Sequence, residues 1–261
     1  MTAADRPLTA PNIAEPDSAL LDFRRATADD LRDLASFHDA EPTWEWLDAL
    51  RPSGEEGFAL GVRLQSSPGR DALALMEAAL AALPITLEAD VIDELATDFA
   101  DIYLTHAFRA SPYESVWLDD DHLLGQEPMF QVRAYYLRHG LTAANWRVRP
   151  DDHLSLQLQF LARLFSPDSG DGLPEAARFM DEHLLRWLPQ FGRRVAERCR
   201  TPYFAAAALL TAAYCEEIRE VLASILGQPR PSAEEIASRM KKRRQPPPAP
   251  VAFVPGTGPS W

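Results

Sequence analysis

Five consecutive residues, Arg149-Pro150-Asp151-Asp152-His153, set an acid beside an imidazole where a loop turns into the apolar run from Leu154 to Phe165. Such a pair can move a proton, and with a nucleophile it would make a small hydrolase acting through Asp152 and His153. No nucleophile presents itself. The sequence holds no GxSxG, no HExxH, no paired-cysteine zinc pattern and no Walker A loop. Two other readings need no bond chemistry. Asp152 can cap the helix it precedes while His153 sits hydrogen-bonded in the core. Alternatively, the pair forms part of a surface groove that recognises a peptide, and a rigid helix end suits that role too.

At roughly 100° per residue, Leu154, Leu158, Leu161 and Phe165 form one stripe of the helix after His153, widened by Leu156, Phe160 and Leu164. This helix is therefore expected at the centre of the core. His153 and Gln157 fall one turn apart inside the apolar arc, so a hydrogen bond between them is predicted. Asp152 is expected to point away and accept backbone N–H groups at the helix start.

Ser111-Pro112-Tyr113-Glu114-Ser115-Val116-Trp117-Leu118 is a second unusual segment. Two aromatic side chains beside a proline and an acid can form a shallow apolar surface with a polar rim, fit to hold an extended peptide. Equally, Tyr113 and Trp117 can serve to pin the loop to its helices. The run Asp119-Asp120-Asp121-His122 lacks the alternating spacing of a calcium loop and reads as an acidic surface loop. His106, His139 and His183 stand isolated in sequence and are taken as structural. No metal and no cofactor is expected.

Helical periodicity surrounds these segments, with no run of alternating strands. A helix start is expected at Thr27-Ala28-Asp29-Asp30, a short helix from Pro42 through Trp44 to Leu50, and further helices over 69–83 and 87–108. A loop over 109–126 precedes helices at 128–139, 151–165, 174–187 and 189–198. Thr201-Pro202 opens the last large helix, with Tyr203, Leu210, Tyr214, Val221 and Ile225 on one stripe and Gly227 as its stop. The sum is an all-α, single bundle-like domain of about ten helices spanning 18–228. A flexible segment (1–17) precedes it. Beyond it, 229–261 is a basic stretch and then a Pro-rich tail, expected to be largely disordered, although Ser232 to Arg244 can form a short basic helix ending Lys241-Lys242-Arg243-Arg244.

The 261 residues suffice for a sizeable core. A formal net charge of −13 argues against a nucleic-acid partner, because phosphate neutralisation needs a basic face. It can draw in a cationic partner, or simply keep the chain soluble. There is no basic-then-apolar leader at the N-terminus, and the apolar run Tyr203–Cys215 is too short to span a bilayer. A soluble cytoplasmic protein is expected, with Cys199 and Cys215 as reduced thiols. A helical adaptor that binds partners through the basic, Pro-rich tail is a further reading.

Three segments in order resemble the TorD/DmsD family of redox-enzyme maturation chaperones. They are Ser111 to Leu118, Gln131-Val132-Arg133-Ala134-Tyr135-Tyr136 with Gly140-Leu141, and Pro150-Asp151-Asp152-His153 with its Leu/Phe-rich helix. The resemblance covers about 28–226 and implies an all-α chaperone without catalytic residues. Its partner would be the apo catalytic subunit of a molybdopterin oxidoreductase of the DMSO-reductase type, or that subunit's twin-arginine signal peptide, held until cofactor insertion. It implies a client-binding set of Asp152, His153, Tyr113, Glu114, Ser115 and Trp117, supported by Pro150 and Gln157, in a monomer or dimer. Arg149 stands where the family motif commonly has Glu, and Gln157 where it commonly has Glu. Without that carboxylate, His153 is expected to be neutral at pH 7.

Overall fold

The computed structural model describes residues 16–51, 58–84, 86, 89–170 and 172–243, and among them there are eleven α-helices and no strand. The first helix, α1 (Pro16–Phe37), packs along α7 (Leu154–Phe165). Between them in sequence come α2 (Trp44–Leu50), α3 (Ser67–Ala81), α4 (Ala89–Phe99), α5 (Glu114–Leu118) and α6 (Glu127–Arg138). After α7 follow α8 (Leu173–Glu182), α9 (Leu188–Arg198) and α10 (Pro202–Leu226), and α10 packs against both α3 and α9. The chain divides into two compact units, Met1–Arg230 and Pro231–Trp261. The described part of the second unit is Pro231, Ser232 and α11 (Ala233–Arg243). There Ser232 Oγ accepts from the Glu235 amide, and the Glu235 carboxylate accepts from the Ser232 amide, a reciprocal cap. Most of the segment expected to be flexible, 1–17, and the Pro-rich end expected to be disordered lie outside the described residues.

Helix α10 forms the axis of the first unit. Pro202 opens it, and Gly227 closes it in the left-handed conformation at φ 62°. Its alanines let neighbours approach closely. A Cβ added at Gly192 of α9 would stand 2.9 Å from the Ala208 carbonyl oxygen, so any larger residue would push the two helices apart. The predicted stripe holds at Tyr203, Leu210 and Tyr214, then drifts. Ile225 is exposed while Ile218 and Leu222 take the core positions.

Three expectations for the elements are corrected. No helix starts at Thr27. Leu20 and Phe23 continue the apolar stripe upstream, so α1 runs unbroken and Thr27, Ala28 and Asp30 are buried within it. Asp30 instead accepts from the Gly61 and Val62 amides and the Tyr214 hydroxyl, tying a loop and α10 to α1. The helix expected over 87–108 ends sooner. From Ala100 to Leu104 it widens into a π-helical turn, with the Thr105 amide donating to the Ala100 carbonyl, and His106 then turns left-handed. Finally, the loop expected over 109–126 contains α5.

Candidate functional site

The segments 111–114 and 150–154 run antiparallel. The Leu154 amide donates to the Pro112 carbonyl at 2.8 Å, the Glu114 amide donates to the Asp152 carbonyl at 3.2 Å, and Tyr113 bridges to His153. This short pairing brings together five of the six residues singled out above. All five, Tyr113, Glu114, Ser115, Asp152 and His153, are buried. Only Trp117 is half-exposed. The shallow exposed rim expected of this segment is thus turned inward, apart from its Trp117 end.

Asp152 does not cap its own helix. Its Oδ2 accepts the Ser115 amide at 2.8 Å and the Ser115 hydroxyl at 2.6 Å, so it caps α5 from across the pairing. Its Oδ1 has no hydrogen-bond partner among the described residues. Burial of this half-satisfied carboxylate pushes its pKa up to about 6, against the pull of the Ser115 bonds. The cap of α7 is the imidazole. His153 Nδ1 accepts from the Ser155 amide at 3.2 Å and lies 2.8 Å from Ser155 Oγ. An acceptor nitrogen must be unprotonated. Burial, then the nearby Arg149 charge, holds the His153 pKa well below the usual histidine value, so the ring is neutral at pH 7 as expected.

The hydrogen bond predicted between the His153 and Gln157 side chains does not form. Gln157 Nε2 reaches across to Glu114 Oε2 at 2.8 Å and also donates to the Asp152 carbonyl at 3.2 Å. Glu114 in turn lies 2.8 Å from His183 Nδ1, with both side chains fully buried. His183 is therefore not the isolated residue its sequence position suggests; the fold pairs it with an acid 69 positions away. The signal for it was Glu114 itself, a charge inside an aromatic segment that needs a partner once buried. Around this core, Arg133 pairs with Asp151 at 2.8 Å, and the Tyr136 hydroxyl donates to the Asp151 carbonyl at 3.0 Å. Arg149 is engaged by the Asp39 carboxylate and carbonyl at the end of α1. Pro150 presents its carbonyl to the His153 amide, closing the turn.

Asp152 and His153 do not form an acid–imidazole pair in this arrangement. Asp152 and His153 direct their side chains to different serines, Ser115 and Ser155, and the imidazole is only 3% exposed. Among the described residues no group of acids, histidines and cysteines is arranged to hold a metal ion, and both cysteines are free. No described helix is long and apolar enough to cross a membrane.

Two surface clefts flank α9. One, of about 640 Å³, lies between α3, α9 and α10, with Leu75 and Leu209 in its walls and Asp71, Glu216 and Glu220 at its rim, faced by Arg193. The other, of about 810 Å³, is bounded by Trp117, the loop after α5 and the other side of α9. Trp117 is fixed there. Its Nε1 donates to the Ser111 carbonyl at 2.8 Å, its ring stacks on the buried Trp187, and Arg194 lies over it at 4.7 Å.

The profile of the family described as "Nitrate reductase delta subunit" matches residues 67–193, which contain the whole paired segment and its partners. The chain is 32% identical over 191 residues to the chaperone protein TorD of Vibrio vulnificus (strain CMCP6), covering 70% of this chain and 87% of that one. It is 30% identical over 204 residues to TorD of Vibrio cholerae (classical Ogawa strain O395), covering 75% and 85%. With TorD of Psychrobacter sp. (strain PRwf-1) the identity is 32% over 185 residues, covering 67% and 80%. An all-α fold, the ordered segments 111–118, 131–141 and 150–165, and this extent of similarity lead to one conclusion: the chain belongs to the TorD/DmsD family of redox-enzyme maturation chaperones.

Proposed function

We propose that this chain is a cytoplasmic chaperone for a molybdopterin oxidoreductase of the DMSO-reductase type. It binds the apo catalytic subunit, through the twin-arginine leader among other segments, and holds it until the cofactor is inserted. Family membership supports the class of client. The observation that carries the leader reading is the cleft between α3, α9 and α10. Its walls are apolar, and neither Asp71 nor Glu220 on its rim has a cationic partner among the described residues. A leader joins cationic to apolar residues, so its guanidinium groups and apolar side chains each find a complement.

The client-binding set keeps a role in this reading, divided in two. Trp117 touches the client from the second cleft. Asp152, His153, Tyr113, Glu114 and Ser115, with Gln157 and Pro150, hold that tryptophan's segment in shape from beneath. The test is titration of a labelled twin-arginine peptide with the full chain. Binding should weaken about tenfold in Asp71→Lys/Glu220→Lys and fall as salt rises. Binding that ignores both the double variant and salt would refute the leader assignment.

A further inference from the structure

The cleft beside Trp117 has the opposite electrical character to its neighbour across α9. Arg109 and Arg194 line it, with His106 and His122, and no carboxylate belongs to its lining. In a chain of net charge −13 this is a local reversal. The Arg109 guanidinium is exposed and has no partner among the described residues, and Arg194 is held by the Arg109 carbonyl and the Trp117 ring rather than by an acid. Beside these cations, Leu123 and Leu124 are 56% and 45% exposed.

Backbone strain converges on the same place. The non-glycine residues with left-handed φ among the described residues are His106, Arg109 and His122, at 55°, 52° and 55°, and all three line this cleft. Non-glycine residues seldom adopt that conformation, histidine more readily than arginine, so Arg109 is the most telling of the three, and such positions gather at binding sites. Each does something there. His106 sets its ring edge-on to Tyr113, and His122 donates from Nδ1 to the Val116 carbonyl, pinning the loop after α5. Arg109 turns its guanidinium free.

We infer that this cleft binds an acidic, apolar-flanked peptide segment of the client, paired carboxylates meeting Arg109 and Arg194 while apolar neighbours cover Leu123, Leu124 and the Trp117 face. The inference rests on the chaperone reading and adds a second grip of opposite charge to the leader cleft. The two grips on either side of α9 then select for a client that offers both a cationic and an acidic segment.

The experiment uses the full chain and fluorescent peptides of one length and one Leu/Phe pattern, carrying Glu, Gln or Lys at the other positions. The Glu peptide should bind about tenfold more tightly than the Gln or Lys peptide. A photo-crosslinker at Leu124 should capture the Glu peptide. Arg109→Gly suits the left-handed backbone, so it should leave thermal stability equal or raised while cutting Glu-peptide binding about tenfold, and Arg109→Lys should keep most of it. Equal binding of the Glu and Lys peptides overturns the inference, as does undiminished Glu-peptide binding by Arg109→Gly. Displacement of the Glu peptide by inorganic phosphate alone at low concentration also overturns it, by making the cleft a small-anion site. If the twin-arginine peptide binds and the Glu peptide does not, this inference alone fails. If neither binds and the apo subunit is not held, the chaperone reading fails with it.

Discussion

The Asp152 carboxylate caps helix α5 through the amide and hydroxyl of Ser115, on the far side of a short antiparallel pairing, rather than the helix that follows it in sequence. One acid thereby fixes the start of the segment whose other end carries Trp117 to the surface. The capping bond also joins parts of the chain 37 positions apart, so the motif acts as a clasp between two loops.

The clasp has a pH signature. The folded-state pKa of Asp152 is raised from 3.8 to about 6, so its contribution to stability is fully present below pH 3.8 and is lost as pH rises through about 6. Asp152→Asn keeps an acceptor for Ser115 but no longer titrates. Relative to the parent, it should gain on the order of 2 kcal/mol between pH 4 and pH 7. Thermal melts across this range check it, and parallel curves for the two proteins would contradict it.

His38 works in the opposite direction. It is buried between the Tyr103 hydroxyl and Thr211 Oγ1, and burial lowers its pKa to about 3. A depressed imidazole gives stability that is present above pH 6.5 and lost as pH falls toward the folded value. Between pH 7 and pH 5 the loss attributable to His38 is about 2 kcal/mol. His38→Gln should be less stable at pH 7 yet flatter on acidification, as urea unfolding at the two pH values would show.

Gln157 meets the Glu114 carboxylate with an amide rather than with a second acid. Its amide donates to Glu114 in a fully buried setting, so Gln157→Glu would place like charges in contact there. We expect a loss of about 2–3 kcal/mol at pH 7, shrinking toward pH 5 as the added carboxyl takes up a proton. A variant as stable as its parent at pH 7 would show that the network rearranges.

Gly192 tests the closeness of α9 to α10. Alanine there gains helix propensity, but its Cβ would stand 2.9 Å from the Ala208 carbonyl oxygen and 3.3 Å from Ala212 Cβ. Overpacking should prevail, with a net loss of about 1–2 kcal/mol in chemical denaturation. Increased stability would mean the helices can part without cost. Because both clefts border α9, the same variant should weaken peptide binding at each.

Much of this architecture was legible in local pattern. The apolar arc of Leu154 to Phe165 placed α7 in the core, and Pro202 and Gly227 marked the ends of α10. What escaped was whatever depends on partners distant in sequence. Thr27-Ala28-Asp29-Asp30 looks like a cap until Asp30 is seen to serve the 61–62 loop and Tyr214. Asp152 looks like a cap for α7 because Ser115 is invisible from its own neighbourhood. Glu114 looks like a rim residue because its partner His183 belongs to another helix end. The two clefts arise only where α9 meets α3, α5 and α10, so no single segment announces them.

The central claim is that the chain grips an immature catalytic subunit and releases the finished one. Its most direct test is pull-down by the tagged full chain of one molybdopterin oxidoreductase catalytic subunit, produced with and without its cofactor. The account predicts strong retention of the cofactor-free form and little of the loaded form. Equal retention of both, or of neither, would contradict it.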